Sequence, residues 1–164
     1  MIGNYTMLYS GLPQKTRTQW GVPLIRNHKW TSRITIYTFV NDRIIAVRLK
    51  TNRVHIIVIG VYAPEEGREE ETRQFYRQIQ KEVDRCNKSD SLIISGDLNA
   101  RVGNQPIAIV VGTLGEDCMK RNGQILREFV FFNDFKIPKT FSGKKKFTNI
   151  HGVLEDLKPL LTRS

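Results

Sequence analysis

The stretch Ser91-Leu92-Ile93-Ile94-Ser95-Gly96-Asp97-Leu98-Asn99-Ala100-Arg101-Val102-Gly103-Asn104 constrains the fold more than any other part of the chain. Its apolar opening, with Ile93 beside Ile94, reads as a buried strand. The run stops at Gly96 and is followed by a carboxylate, an amide and then the turn-forming Gly103-Asn104. Strand side chains repeat every two residues, so Asp97 and Asn99 are expected to point the same way from the strand end. Two oxygen-bearing groups side by side at the rim of a sheet suit a divalent cation, a phosphate and an attacking water. The competing reading is structural: Asp97 and Asn99 close the strand with an Asx turn.

Upstream of this stretch, Arg43 to Leu49 and Val54 to Val61 are the clearest strands, and Thr51-Asn52-Arg53 is a hairpin-length connection between them. The second strand runs into Tyr62-Ala63-Pro64, where Pro64 stops the ladder. His55, at the mouth of that apolar run, reads as structural rather than catalytic. Glu69 to Lys88 reads as a helix: Phe75, Ile79, Val83 and Cys86 recur at helical spacing, and Glu69, Glu70 and Glu71 complement the positive end of its dipole. The acidic cluster is therefore a helix start rather than a metal site.

Asn4 to Gly11, running into a turn, Trp20 to Ile25 and Trp30 to Tyr37 have strand composition, with Pro23 confining its strand to an edge or a bulge. Ala100 to Arg121, rich in Gly and mixed in polarity, reads as a long loop, and Asn122 can cap a helix from Gly123 to about Asn133. Lys136-Ile137, Thr140-Phe141 and Phe147-Thr148 suggest short strands, and Asn149 to Ser164 shows no continuing strand pattern. Many strands interrupted by two helices imply a sheet-rich α+β domain.

Charge narrows the class of partner. The chain of 164 residues carries a net charge of +10. Over residues 1 to 60 the basic side chains Lys15, Arg17, Arg26, Lys29, Arg33, Arg43, Arg48, Lys50 and Arg53 face the single acid Asp42. This favours a polyanion, most simply nucleic acid. Cys86 and Cys118 lie far apart with no zinc-ligand spacing, so neither a disulfide framework nor a zinc site is indicated. No apolar run is long enough to span a membrane, and an intracellular, nuclear or cytoplasmic, location is expected. The sequence sets no oligomeric state.

The order and spacing of Tyr9-Ser10-Gly11, Arg43-Ile44-Ile45, Val61-Tyr62-Ala63-Pro64, Phe75-Tyr76, Gly96-Asp97-Leu98-Asn99 with its Ala100-to-Asn104 continuation, Asn122-Gly123 and Phe147-Thr148 resemble the endonuclease/exonuclease/phosphatase superfamily. Within it, the pattern is similar to the endonuclease domain of non-LTR (LINE-type) retrotransposons. The resemblance implies a four-layer αββα sandwich, α+β in class, and hydrolysis of a DNA phosphodiester assisted by Mg²⁺ or Mn²⁺. It implies that Asp97 orients or deprotonates the attacking water, that Asn99 helps hold Asp97 and the phosphate, and that Tyr62 stabilises charge developing on the phosphate.

The resemblance is incomplete at both ends. The family's upstream strands, one bearing an Asn and the next the metal-binding Glu, have no counterpart here. Nor does its terminal Ser-Asp-His, for which neither His151 nor Asp156 has the right surroundings. The expectation is a partial, incomplete domain over residues 1–148 followed by a divergent tail over 149–164, with little or no turnover. A non-catalytic, basic nucleic-acid-binding remnant is the alternative.

Overall fold

The computed structural model describes residues 5–9, 21–141 and 152–156. Strands β1 (Tyr5–Tyr9) and β2 (Pro23–Asn27) pair antiparallel, with Pro23 at the first position of its strand opposite Tyr9. That is where a residue without an N–H costs the ladder least. A 3-10 turn, His28–Arg33, leads into β3 (Ile34–Asn41), β4 (Ile44–Lys50) and β5 (His55–Tyr62), an antiparallel meander. Helix α1 (Glu69–Asp84) then crosses to β6 (Ser91–Asp97), which lies parallel to β5. After the long loop come α2 (Arg121–Phe132), the short β7 (Phe135–Lys136) and β8 (Gly152–Asp156). The six-stranded sheet has the order β3-β4-β5-β6-β8-β7.

Both helices pack on one face of this sheet. Ile44 and Ala46 of β4, Ile57, Ile59 and Val61 of β5, and Leu92 and Ile94 of β6 alternate onto that face. They meet Phe75, Tyr76 and Ile79 of α1 and Ile125, Leu126, Phe129 and Val130 of α2. The helices lock through aromatic rings, with the Tyr76 and Phe129 centroids 5.0 Å apart and Phe129 stacked at 5.9 Å on Phe135. Ile45 and Val47, on the opposite face of β4, are also buried, so the sheet is covered on both sides at this point. Tyr76 carries a polar cost here, because its hydroxyl is buried without a hydrogen-bond partner among the described residues and desolvation pushes the phenol well above its ordinary pKa.

Several local expectations are corrected. The segment expected as a strand over Trp30 to Tyr37 is a 3-10 turn up to Arg33, and the strand then runs on to Asn41 because β4 offers a partner through Ile44. Thr140-Phe141 is not a strand: Pro138 fixes φ at the start of a 3-10 turn, Pro138–Thr140. Helix α1 ends at Asp84, short of Lys88, and α2 begins at Arg121 with Lys120 at its cap, so Asn122 lies inside the helix. The tail expected without strand pattern contributes β8, which inserts between β6 and β7. Its pattern Gly-Val-Leu-Glu-Asp is too short and too mixed to signal a strand, and pairing on both sides supplies what propensity does not. Phe147-Thr148 and His151 lie outside the described residues.

Candidate functional site

The site is built on the two parallel strands. Tyr62 is the register partner of Asp97, so β5 and β6 finish level with each other and release their chains at the same end of the sheet. The pairing extends one step further, where the Ala63 N–H donates to the Asp97 carbonyl at 2.8 Å. Gly96 makes this close approach possible. Its φ is +150°, and a Cβ there would stand 1.9 Å from the Val61 carbonyl oxygen.

Beyond the strand end the Asx turn does form: the Asn99 N–H donates to Asp97 Oδ1 at 3.0 Å. Asn99 sits at φ +43°, a left-handed conformation that Asn tolerates better than most residues. Strand alternation therefore no longer governs its direction. Its side-chain Nδ2 donates to the Ala63 carbonyl at 2.8 Å, tying the end of β6 to the end of β5. The structural reading of Asp97-Leu98-Asn99 therefore holds, and the turn is what keeps the carboxylate at the sheet rim.

Helix α2 closes the arrangement from behind. Asn122 is buried, and its Nδ2 donates to the Pro64 carbonyl at 3.0 Å and the Asn99 carbonyl at 3.1 Å. Glu66 caps this helix, its Oε1 accepting from the Arg121 N–H at 3.0 Å and its carboxylate also facing the Asn122 N–H. Beside it, Arg121 grips Glu69 with Nε at 2.8 Å and Nη2 at 2.6 Å. That fork, together with Arg73, holds the Glu69 carboxyl down at about 2. Gly123 lets α2 approach the loop, since a Cβ there would stand 1.7 Å from the Arg101 carbonyl oxygen.

Asp97 and Asn99 open into a cleft of about 490 Å³. Val102, Leu126 and Ile137 line its apolar part, and Arg101, Lys120 and Lys139 bring exposed positive charge to it. Tyr62 is half-buried beside the cleft rather than lining it, and the Arg43 guanidinium lies 5.7 Å from its ring centroid while Nη1 donates to the Tyr62 carbonyl at 3.3 Å. His55 is at the other end of β5, its Nδ1 3.7 Å from Asp90 Oδ1. There Asp90 is buried and paired with Arg48 at 2.5 Å, with the Asn87 N–H donating to the same carboxylate.

Among the described residues, no three His, Cys, Asp or Glu side chains stand close enough together to hold a metal ion. Of the carboxylates that share the cleft with Asp97, Glu66 caps α2 and Glu116 pairs with Arg101 at 3.3 Å. Magnesium takes about six oxygens, commonly from one or two carboxylates, waters and substrate phosphates. Among the described residues of the cleft, Asp97 is the carboxylate engaged in neither a helix cap nor an ion pair.

No family model matches the chain. Craniofacial development protein 2 of Bos taurus is 36% identical to it over 128 residues, 77% of this chain and 22% of that protein. The protein of the same name from Tragulus javanicus is 34% identical over 128 residues, again 77% of this chain and 22% of its own length. This chain therefore spans under a quarter of the curated relatives it matches. The fold superposes on the endonuclease domain of TRAS1, a telomere-specific non-LTR retrotransposon, with a TM-score of 0.64 at 15% identity, covering 96% of this chain and 69% of that one. Over the matched 128 residues the chain is related to craniofacial development protein 2. The likeness to the TRAS1 domain establishes the fold, which is α+β as the element pattern implies. Among the described residues, no helix is long and apolar enough to cross a membrane.

Three neighbours of the site have no place in it from sequence: Asn122 reads as a helix cap and part of a resemblance motif, Arg43 as part of another motif and one of many basic residues, and Glu66 carries no reading of its own. Local spacing carries no signal for Asn122 or Glu66, because their partners are 23 to 58 residues away. Arg43 immediately precedes a β4 residue, Ile44, that pairs with Val61, and recognising that register would have placed it beside Tyr62.

Proposed function

We propose that this chain is a nuclease-type domain that engages a DNA phosphodiester at Asp97 and Asn99, with Tyr62 beside the scissile phosphate. The observation that carries the reading is the position of Asp97: a carboxylate fixed by its own turn, at the open end of a parallel strand pair, in a cleft bordered by Arg101, Lys120 and Lys139. Basic groups there neutralise phosphate oxygens, while the carboxylate can take a proton from an attacking water. The Tyr62 phenol is suited to stabilise charge gathering on the phosphoryl group. Arg43, held against the Tyr62 ring, extends the positive surface towards flanking phosphates.

Mg²⁺ or Mn²⁺ is the cation that the resemblance implies. With a single carboxylate available for it among the described residues, hydrolysis is expected to be slow. The same shortage favours a second reading, binding of DNA without cleavage.

Nicking of supercoiled plasmid in Mg²⁺ or Mn²⁺, by this chain and by Asp97→Ala, tests the first reading. Weak nicking abolished by the substitution supports it. Absence of nicking, together with duplex binding that weakens steeply with salt and is insensitive to Asp97→Ala, supports the second. A folded chain that neither binds nor nicks DNA refutes both.

A further inference from the structure

We propose that Asn122 is a positioning residue for the Asp97–Asn99 turn, joining the two site-bearing strand ends through their backbone carbonyls. The proposal deepens the phosphodiester reading of this site, but its geometric content stands apart from that reading. Asn is a poor choice for a buried helix interior, where its amide must find partners or be paid for in desolvation. Here the side chain is 1% exposed and inside the first turn of α2, so solvent supplies nothing.

All of its bonding goes to other segments. The two N–H groups of Nδ2 reach the carbonyls of Pro64, after β5, and Asn99, after β6. Oδ1 lies 3.2 Å from the Thr72 hydroxyl of α1, which also donates to the Arg68 carbonyl. Two carbonyl oxygens converging on one end of the amide fix its orientation, since only the NH₂ group can face both. Leu, Ser or Asp at this position cannot satisfy two carbonyls in the same way.

The consequence for the site runs through Asn99. Its backbone is held at φ +43°, with the carbonyl bound by Asn122, the N–H bound by Asp97 Oδ1 and the side chain bound to Ala63. Releasing the carbonyl removes one of three restraints on a left-handed residue and lets the turn relax towards ordinary backbone. The Asp97 carboxylate would then lose the donor that aims it. Asn122 touches no reacting atom in this arrangement; it acts through Asn99.

Amide hydrogen exchange on the whole chain separates positioning from general structural support. In Asn122→Ala, the exchange of the Asn99 and Ala63 amides is expected to rise roughly tenfold relative to the strand-centre amides of Ile59 and Ile94. Thr72→Val is the control. It removes a buried hydroxyl without freeing either carbonyl, so it should leave the ratio of Asn99 to Ile94 exchange unchanged. Asn122→Ser, which keeps one donor and little change in polarity, should give an intermediate ratio and serves if the alanine variant does not fold. A uniform rise at all four amides, no change at Asn99, or the same pattern in Thr72→Val would overturn the proposal. The plasmid assay is read in parallel: a nicking rate that falls as the exchange ratio rises agrees with positioning. If the unsubstituted chain proves unable to nick or bind DNA, the phosphodiester reading fails, while the exchange ratio still decides the role of Asn122.

Discussion

Gly96→Ala is expected to destabilise the fold far more than an exposed glycine substitution of the same kind. The new Cβ would stand 1.9 Å from the Val61 carbonyl oxygen, a backbone atom of the adjacent strand. Ordinary carbon–oxygen contact is about 3.3 Å or more, so β5 and β6 would have to part by over an ångström at their site ends. Parting there weakens the Ala63-to-Asp97 bond and the neighbouring ladder, at a net ~1 kcal/mol for each bond lost. An alanine at φ +150° adds backbone strain of ~1–3 kcal/mol. With two such bonds lost the sum is about 3–5 kcal/mol, a large share of the ~5–15 kcal/mol that stabilises a typical domain. Gly67→Ala isolates the backbone term: its φ is +91°, but nothing lies within 4 Å of the added Cβ, so a cost of ~1 kcal/mol is expected. Urea unfolding followed by far-ultraviolet circular dichroism measures both. If Gly96→Ala falls within 1 kcal/mol of Gly67→Ala, strand contact at Gly96 is not what the glycine serves.

Three further outcomes follow from the packing. Tyr76→Phe should raise stability by ~1 kcal/mol in the same unfolding assay, because it deletes a buried hydroxyl with no partner and keeps the ring against Phe75 and Phe129. Asp90→Ala should lower it by about 2 kcal/mol, below the ~3–5 kcal/mol for breaking a fully buried pair, because Arg48 keeps a quarter of its side chain in water and can rehydrate. Arg121→Ala should flatten the acid limb of the stability profile. Arg121, and then Arg73, hold Glu69 at about 2 rather than 4.5, so their contribution is complete above about pH 4.5 and is lost as pH falls towards 2. Unfolding midpoints measured from pH 6 to pH 2 would show an unchanged slope if that pairing contributes nothing.

The strands and helices with strong periodicity were legible in the sequence, as was the turn at Asp97. Val54 to Val61 and Ser91 to Gly96 are mostly apolar runs, with one face buried and the alternate positions Ile56, Val58 and Ile93 half-buried. What periodicity could not show is how the two strands align. The level ending of Tyr62 and Asp97 depends on a parallel register set by side-chain packing under α1, not by any local signal. Asn99 illustrates a subtler limit. Alternation placed it beside Asp97, yet one residue past the strand its φ changes sign and its amide turns to Ala63. Asn122 was misread for the opposite reason: a capping residue and a buried tether have the same local sequence, and only burial against α1 and the two loops separates them. The strand Gly152–Asp156 escaped notice because its conformation is imposed by β6 and β7 on either side.

The place of β8 bears on how the chain is made. Ser95 and Gly96 pair with Val153 and Gly152, so the outer edge of β6 is closed by residues synthesised nearly sixty positions later. While the ribosome adds that intervening length, β5, α1 and β6 can already associate, yet β6 presents an uncovered row of amides and carbonyls next to the apolar Ile93 and Ile94. A nascent chain at that stage is a natural client for a chaperone, and one released before residue 156 would keep a bare edge beside the Asp97 turn. Completion of the sheet, rather than formation of the turn, sets the moment at which this protein stops being adhesive.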